Sequence, residues 1–397
     1  MNLSNKAKQI NPSITLEITA KAKELKESGV NVVSFGAGEP DFNTPDNIIK
    51  AAIIAMEEGK TKYTPTSGIL DLRKAICSKL ENDNSLLYNP NQIVVSTGAK
   101  QSLANAFLAI LNKGDEVIIP VPYWVSYPEL VKLADGVPVF VNTLKENDYK
   151  YTIDDLKQVV TNKTKAILIN SPNNPTGSIY SREELLEIAE FAKEYNLIII
   201  SDEIYEKLIY DNKEIVSIAS LSEDSYNRTI VINGLSKSYA MTGWRIGYSA
   251  SSVEIAKLMS SIQSHVTSNI NSISQYAAIE ALTGPQDSIK SMIKEFENRR
   301  NYMIDRINKI EGVSYIRPSG AFYIMVYVGD FYGKNIEGDT INSSLDFSKS
   351  ILEEEKVAVI PGIAFGLDGY IRLSYATSMD IIEEGLYRLE RYLKKLK

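Results

Sequence analysis

Short runs of consecutive apolar residues recur through the middle of the chain, each followed by a stretch with apolar positions every three or four residues. The runs are "QIVVSTG" (92–98), "DEVIIP" (115–120), "KAILINSP" (165–172), "NLIIISD" (196–202) and "TIVINGL" (229–235). Apolar at neighbouring positions, several of them read as strands covered on both faces, as in a parallel sheet layered by helices. The stretch "AKQSLANAFLAIL" that follows the first run has helical spacing. "SREELLEIAEFAKEYN" (181–196) is a predicted helix, with Ser181 as N-cap and Glu184 placed to complete a capping box. The pattern predicts an α/β domain with a mostly parallel sheet over residues 43–285.

Beyond it, "IKSMIKEFENRRNYMIDRINKI" (289–310) reads as a long charged amphipathic helix leading out of that domain. "AFYIMVYV" (321–328), "VAVIPG" (357–362), "YIRLSYAT" (370–377) and a helix at "SLDFSKSILEEE" then predict a smaller α+β domain over 286–397. Residues 1–42 form an N-terminal arm, with 13–40 expected to pack on the smaller domain.

Composition narrows the function more than the fold. A chain of 397 residues with 44% apolar and 23% charged residues is an ordinary globular protein of two or three domains. Its net charge, 43 − 50 = −7, argues against nucleic acid or an anionic membrane as partner. One cysteine and one histidine exclude an internal disulfide, a Cys cluster for a metal and a His-rich zinc site. Cys77 reads as a half-buried helix residue and His265 as a surface or interface histidine. The start "MNLSNKAKQINPS" lacks an apolar signal core and no run of 18 apolar residues occurs, so a cytoplasmic protein is expected.

In open α/β sheets, ligands gather beyond the C-terminal ends of the strands. After 92–97 comes "GAK", where Gly98 and a helix N-terminus could hold an anion. After 165–171 comes "SPNNPTG", with more turn formers than a simple loop requires. After 197–201 come Asp202 and Tyr205, and after 229–233 come Lys237 and, eight positions on, Arg245. A lysine and an arginine drawn inward must be paired or chemically useful. One ligand has needs that match the set. It requires a phosphate anchor (the 98–100 helix start, Arg245) and an anion for a cationic ring nitrogen (Asp202). Donors for a phenolic oxygen (Asn174, Tyr205), a stacking face (Trp124) and an amine for an aldehyde (Lys237) complete the match. That ligand is pyridoxal 5′-phosphate.

The sequence resembles the class I aspartate aminotransferases, which belong to fold type I of the pyridoxal-phosphate enzymes. The resemblance covers nearly the whole chain. It is carried by "GAGEPDFNTP" (36–45), "KYTPTSG" (62–68), "STGAKQSL" (96–103), "PYWVSYPE" (122–129), "NSPNNPTG" (170–177), "SDEIYE" (201–206), "SKSYAMTGWRIGY" (236–248), "RPSGAFY" (317–323) and "RLSYAT" (372–377), in that order. It implies that Lys237 is the Schiff-base lysine and proton carrier, and that Asp202 pairs with the ring nitrogen. Tyr205 and Asn174 would face the phenolic oxygen. The N–H groups of Ala99 and Lys100, with Ser236 and Arg245, would hold the phosphate. Arg372 is similar to the arginine that grips the substrate α-carboxylate, in a pocket completed by Asn174, Trp124 and Gly38. Tyr63 resembles a tyrosine given to the neighbouring subunit's phosphate, which implies a homodimer with shared active sites. Residues 11–30 resemble the segment that closes over substrate. The same resemblance and the Asn-rich turn predict a cis bond between Asn174 and Pro175.

For the amino donor, many relatives read the distal carboxylate of aspartate with a partner-subunit arginine. Between Arg245 and Arg299 this chain has none. A subgroup with a lysine at the phosphate turn uses that lysine and a threonine of the N-terminal arm, matched here by Lys100 and Thr15. The resemblance therefore implies aspartate and 2-oxoglutarate as substrates. Prephenate, aromatic or alanine-type aminotransferases and C–S lyases share Lys237, Asp202 and Arg372, so the motifs leave them open. A non-catalytic regulator would need an added DNA-binding domain, and "GAGEPD" lacks the third glycine of a dinucleotide fingerprint.

Overall fold

The computed structural model describes residues 2–397. Its larger sheet has seven strands: β1 (Ile93–Thr97), β2 (Glu116–Val121), β3 (Val137–Asn142), β4 (Thr164–Asn170), β5 (Ile198–Asp202), β6 (Thr229–Gly234) and β7 (Ile246–Ala250). Their order is β1-β7-β6-β5-β4-β2-β3. Only β7 runs against the others, pairing antiparallel with both β1 and β6. Ile167, Leu168, Ile199, Ile200 and Ile230 to Ile232 are wholly enclosed by helices on both faces, which is why these runs lack alternation.

The two strands absent from the sequence pattern each have a reason. β3 is an edge strand, half exposed, with Pro138 inside it, so it lacks the continuous apolar signature. β7, "IGYSA", is buried throughout, but Gly247 and Ser249 interrupt its apolar residues. Its glycine is required: a Cβ at Gly247 would overlap the backbone of Gly98 and Ala99. Helix Arg182–Glu194 starts as expected, the Ser181 N–H donating to Glu184 (2.7 Å) and the Glu184 N–H to the Ser181 hydroxyl (3.2 Å).

Helix Asp287–Ile307 leads to a four-stranded antiparallel sheet of Ser314–Ile316, Tyr323–Tyr327, Tyr370–Ser374 and Ile360–Pro361, covered by helices Ser344–Glu355 and Met379–Lys395. Val33–Ser34 pairs in parallel with Val357–Ala358, and Ala22 of helix Ile14–Glu27 packs with Val32, Leu352 and Ala358. Residues before this helix go the other way. Lys6 pairs with Asp135 (2.8 Å) and the Asn11 N–H donates to Glu129 (3.0 Å), so the arm runs across both sheets' layers.

The expected cis bond between Asn174 and Pro175 is a correction. The cis bonds are Val121–Pro122 and Ser171–Pro172. Asn173 to Gly177 instead form one closed turn, in which the Gly177 N–H donates to the Asn173 carbonyl (2.9 Å) and the Asn173 side chain accepts from the Thr176 N–H (3.1 Å). Pro175 sits inside that turn on a trans bond, and Asn174 is aimed by its own N–H donating to Asn170 Oδ1 (2.9 Å).

Candidate active site

The C-terminal ends of β1, β4, β5 and β6 and the start of the antiparallel β7 meet at one rim. A cavity of about 820 Å³ opens there, between the large sheet, the small sheet and the N-terminal segment. Thr15, Gly38, Ala99, Lys100, Trp124, Asn174, Asp202, Tyr205, Ser236, Lys237, Arg245 and Arg372 all line it. Of the residues to which the resemblance gave a role in the site, Tyr63 alone lies outside; it is 92% exposed.

Each side chain is placed by its local backbone. Gly98 takes φ 79°, turns the chain from β1 into helix Ala99–Ile110, and offers no side-chain cap to the first N–H groups. A Cβ on it would sit 3.0 Å from the Arg245 guanidinium carbon. Arg245 itself has φ 58°, a left-handed conformation unusual for a bulky residue, and donates to the Thr242 carbonyl (2.9 Å). Helix N-terminus and guanidinium thus face one spot, as an anion site needs.

Asp202 ends β5 and is 3% exposed. Its Oδ2 accepts from the Tyr127 hydroxyl (2.7 Å) and its Oδ1 from the Ile204 N–H (3.2 Å). Burial pushes the carboxyl up to about 6, against the lowering effects of these two donors and of Lys237. Lys237, half-buried, donates to the Gly38 carbonyl (2.5 Å). Burial holds its amine down to about 8, with Arg245 and Arg372 pushing the same way and Glu39 and Asp202 opposing. A neutral amine is therefore accessible near physiological pH, as a proton carrier requires.

Arg372 is the most enclosed cation of the site. It lies over the Tyr323 ring (4.1 Å) and near that of Phe365 (4.9 Å), and its Nη1 donates to Asn174 Oδ1 (2.9 Å). Its Nε is buried without a hydrogen-bond partner, and among the described residues no carboxylate pairs with it. A buried, unpaired guanidinium calls for an anionic ligand. Lys100 stands over the Trp124 ring (5.0 Å). Burial, then Arg245, lowers its amine. The Thr15 hydroxyl is bonded to that of Ser13 (2.8 Å) at the cavity wall.

Five cations line this cavity (Lys26, Lys100, Lys237, Arg245, Arg372) against two carboxylates, Glu39 and Asp202. In a chain of net charge −7 that is a site built for anions. A phosphate, an anionic ring oxygen and a substrate carboxylate suit the cations, and a ring N–H⁺ suits the buried Asp202. The donor set fits pyridoxal 5′-phosphate.

The family model for class I and II aminotransferases matches residues 30–389. The chain belongs to this family. As an aminotransferase of fold type I it uses pyridoxal 5′-phosphate. It is 53% identical over 393 residues to an aspartate aminotransferase of Bacillus sp. (strain YM-2), covering 99% of each chain. It is 48% identical over 398 residues to a probable aspartate/prephenate aminotransferase of Aquifex aeolicus (strain VF5), again covering 99% of each. The crystal structure of the aspartate aminotransferase from Rhizobium meliloti aligns with a TM-score of 0.96 at 40% identity, over 100% of each chain.

Sequence reasoning missed several residues of this aminotransferase's cavity. Tyr127 holds Asp202, and lies three positions after Trp124 on the same turn. Tyr323 meets Tyr205, hydroxyl to hydroxyl, at 3.1 Å. Asn170 donates to the Asp202 carbonyl (3.0 Å) while aiming Asn174. All three sit inside motifs quoted for the family, "PYWVSYPE", "RPSGAFY" and "NSPNNPTG", but only the fold shows what they touch. Glu39 and Thr242 also line the cavity.

Proposed function

We propose that this aminotransferase moves the amino group of L-aspartate to 2-oxoglutarate in a ping-pong reaction, as a cytoplasmic homodimer with shared active sites. The observation that carries the reading is the placement of two cations on one cavity: buried Arg372 with its free Nε, and Lys100 beside Trp124. A dicarboxylic amino acid offers one carboxylate to each. Relatives named for aspartate, along the full chain, support the same donor.

The cofactor, when bound, supplies an electron-accepting ring that makes the substrate Cα–H acidic. The N–H groups of Ala99 and Lys100, Ser236 and the Arg245 guanidinium would hold its phosphate, and Trp124 would cover its ring. Asp202 keeps a proton on the ring nitrogen, its own position fixed by Tyr127. Asn174 and Tyr205 would face the phenolic oxygen. Lys237 would be the covalent anchor for the cofactor, and its Nζ would take the proton from the substrate Cα. Arg372, oriented by Asn174, binds the α-carboxylate with Gly38 and Trp124 beside it. Lys100, with Thr15 of the arm, binds the distal carboxylate, and residues 11–30 close to exclude water. Tyr63, exposed in the single chain, would reach the neighbouring subunit's phosphate.

Among the described residues no helix is long and apolar enough to cross a membrane. The relative named aspartate/prephenate aminotransferase supports prephenate as a second substrate. A scan of amino donors against 2-oxoglutarate, read as glutamate formed, tests the assignment. L-Aspartate should give the highest kcat/KM; a higher value for an uncharged or aromatic donor would replace it.

A further inference from the structure

The segment 38–44 and the loop 237–244 are laced together across the mouth of the cavity. Lys237 Nζ donates to the Gly38 carbonyl (2.5 Å) and Thr242 Oγ1 to Glu39 Oε2 (2.6 Å). Thr44 Oγ1 donates to the Ala240 carbonyl (2.7 Å) and accepts from Trp244 Nε1 (2.9 Å). The loop needs outside support, because Ala240 (φ 50°) and Arg245 (φ 58°) both hold left-handed backbone that side chains disfavour. Of the four bonds, only the one from Thr242 ends on a carboxylate. Glu39 has no ion-pair partner within 4 Å among the described residues, and it lines the cavity alongside Lys237.

Four charged groups face Lys237, each from a different place. Asp202 comes from β5, Arg245 from its own loop, Arg372 from the small sheet and Glu39 from the N-terminal segment. Two cations therefore oppose the lysine's proton and two carboxylates favour it. Asp202 is committed to Tyr127, the Ile204 N–H and, in the reading above, the ring nitrogen. That leaves Glu39 as the carboxylate able to offset Arg245 and Arg372.

We propose that Glu39 is a positioning residue for Lys237: clasped by Thr242, it holds the 237–245 loop against the N-terminal segment and keeps a negative charge beside the amine. The inference rests on Lys237 being the covalent anchor. Support for the proton comes from the same pair, since Glu39 is the leading group that opposes the burial of the lysine. The clasp links segment 38–44 to the loop that carries the reacting lysine.

Three variants separate charge from hydrogen bond. Glu39→Gln keeps an acceptor for Thr242 and removes the charge. Thr242→Val removes the donor and keeps the charge, and Thr242→Ser restores the donor. Two readouts are taken against pH: the visible absorption of the holoenzyme, and, in the cofactor-free protein, the rate of reductive methylation at Lys237 followed by peptide mass spectrometry. Glu39→Gln should move both midpoints to lower pH, so that Lys237 in the cofactor-free protein is modified about two- to threefold faster at pH 7, judged against an exposed lysine. Thr242→Val should move them the same way, and Thr242→Ser should restore the wild-type values. Midpoints unchanged in Glu39→Gln overturn the role of Glu39, and Thr242→Val matching wild type overturns the clasp. Borohydride fixation of cofactor in every variant keeps the two ideas apart. Label on another lysine would sink the anchor assignment, whereas label on Lys237 with coincident midpoints sinks only the inference about Glu39.

Discussion

Replacing Asp202 by asparagine should stabilise the cofactor-free protein at alkaline pH while weakening the holoenzyme. Burial raises this carboxyl from 3.8 to about 6, despite the opposing pull of Tyr127, the Ile204 N–H and Lys237. That interval corresponds to about 3 kcal/mol, at about 1.36 kcal/mol per pH unit. Because the folded value lies above the unfolded one, the folded state binds the extra proton. Its contribution to stability is complete below pH 3.8, declines as pH rises, and is lost above about 6. Asparagine is neutral throughout and keeps Oδ1 for the Ile204 N–H, and the charged acceptor that the Tyr127 hydroxyl loses is already counted in that interval. The expected gain at pH 8 is about 3 kcal/mol, and it should shrink by about 2 kcal/mol on acidification to pH 4.5. With cofactor bound the order reverses. An ion pair to a ring N–H⁺ about 4 Å away is worth roughly 4 kcal/mol at an effective dielectric near 20, and only aspartate makes it. Thermal unfolding of wild type and Asp202→Asn, with and without cofactor, at the two pH values, provides the assay. A stability difference that does not change with pH in the cofactor-free protein would refute the reasoning.

Lys100→Ser should lower kcat/KM for aspartate by roughly 10–150-fold, the value of one charged hydrogen bond, and barely change it for an uncharged donor of similar size. An equal loss for both donors would assign Lys100 to the phosphate instead. Arg372→Ala should reduce kcat/KM for every amino donor, because each carries an α-carboxylate; sparing any donor would contradict the role. Gly98→Ala should weaken cofactor binding by about tenfold or more, since a side chain at φ 79° is strained and its Cβ meets Arg245, as equilibrium titration with pyridoxal phosphate would show.

What the sequence revealed followed from local pattern. The five apolar runs became β1, β2, β4, β5 and β6, and Ser181 and Glu184 formed the capping box, because burial on both faces and helix capping are short-range properties. β3 and β7 were illegible for opposite reasons: one is half exposed and carries a proline, the other is buried but has Gly247 and Ser249 between its apolar residues. In the site, the residues that end strands were legible, because a strand end is a place in the sequence. Their supports were not. Tyr127 reaches Asp202 across 75 positions, Arg372 reaches Asn174 across 198 and Lys237 reaches Gly38 across 199. The Asn174–Pro175 bond was misread because turn composition marks a turn without fixing which peptide bond in it is cis.

The central claim, a ping-pong transfer of the amino group from aspartate anchored at Lys237, is tested most directly by the half-reaction. The purified holoenzyme is mixed with L-aspartate alone and oxaloacetate is counted per active site. One equivalent should form and the reaction stop, with further turnover only on addition of 2-oxoglutarate, and Lys237→Ala should form almost none. Continued product formation without an oxo acid, or a full equivalent from Lys237→Ala, would contradict the account.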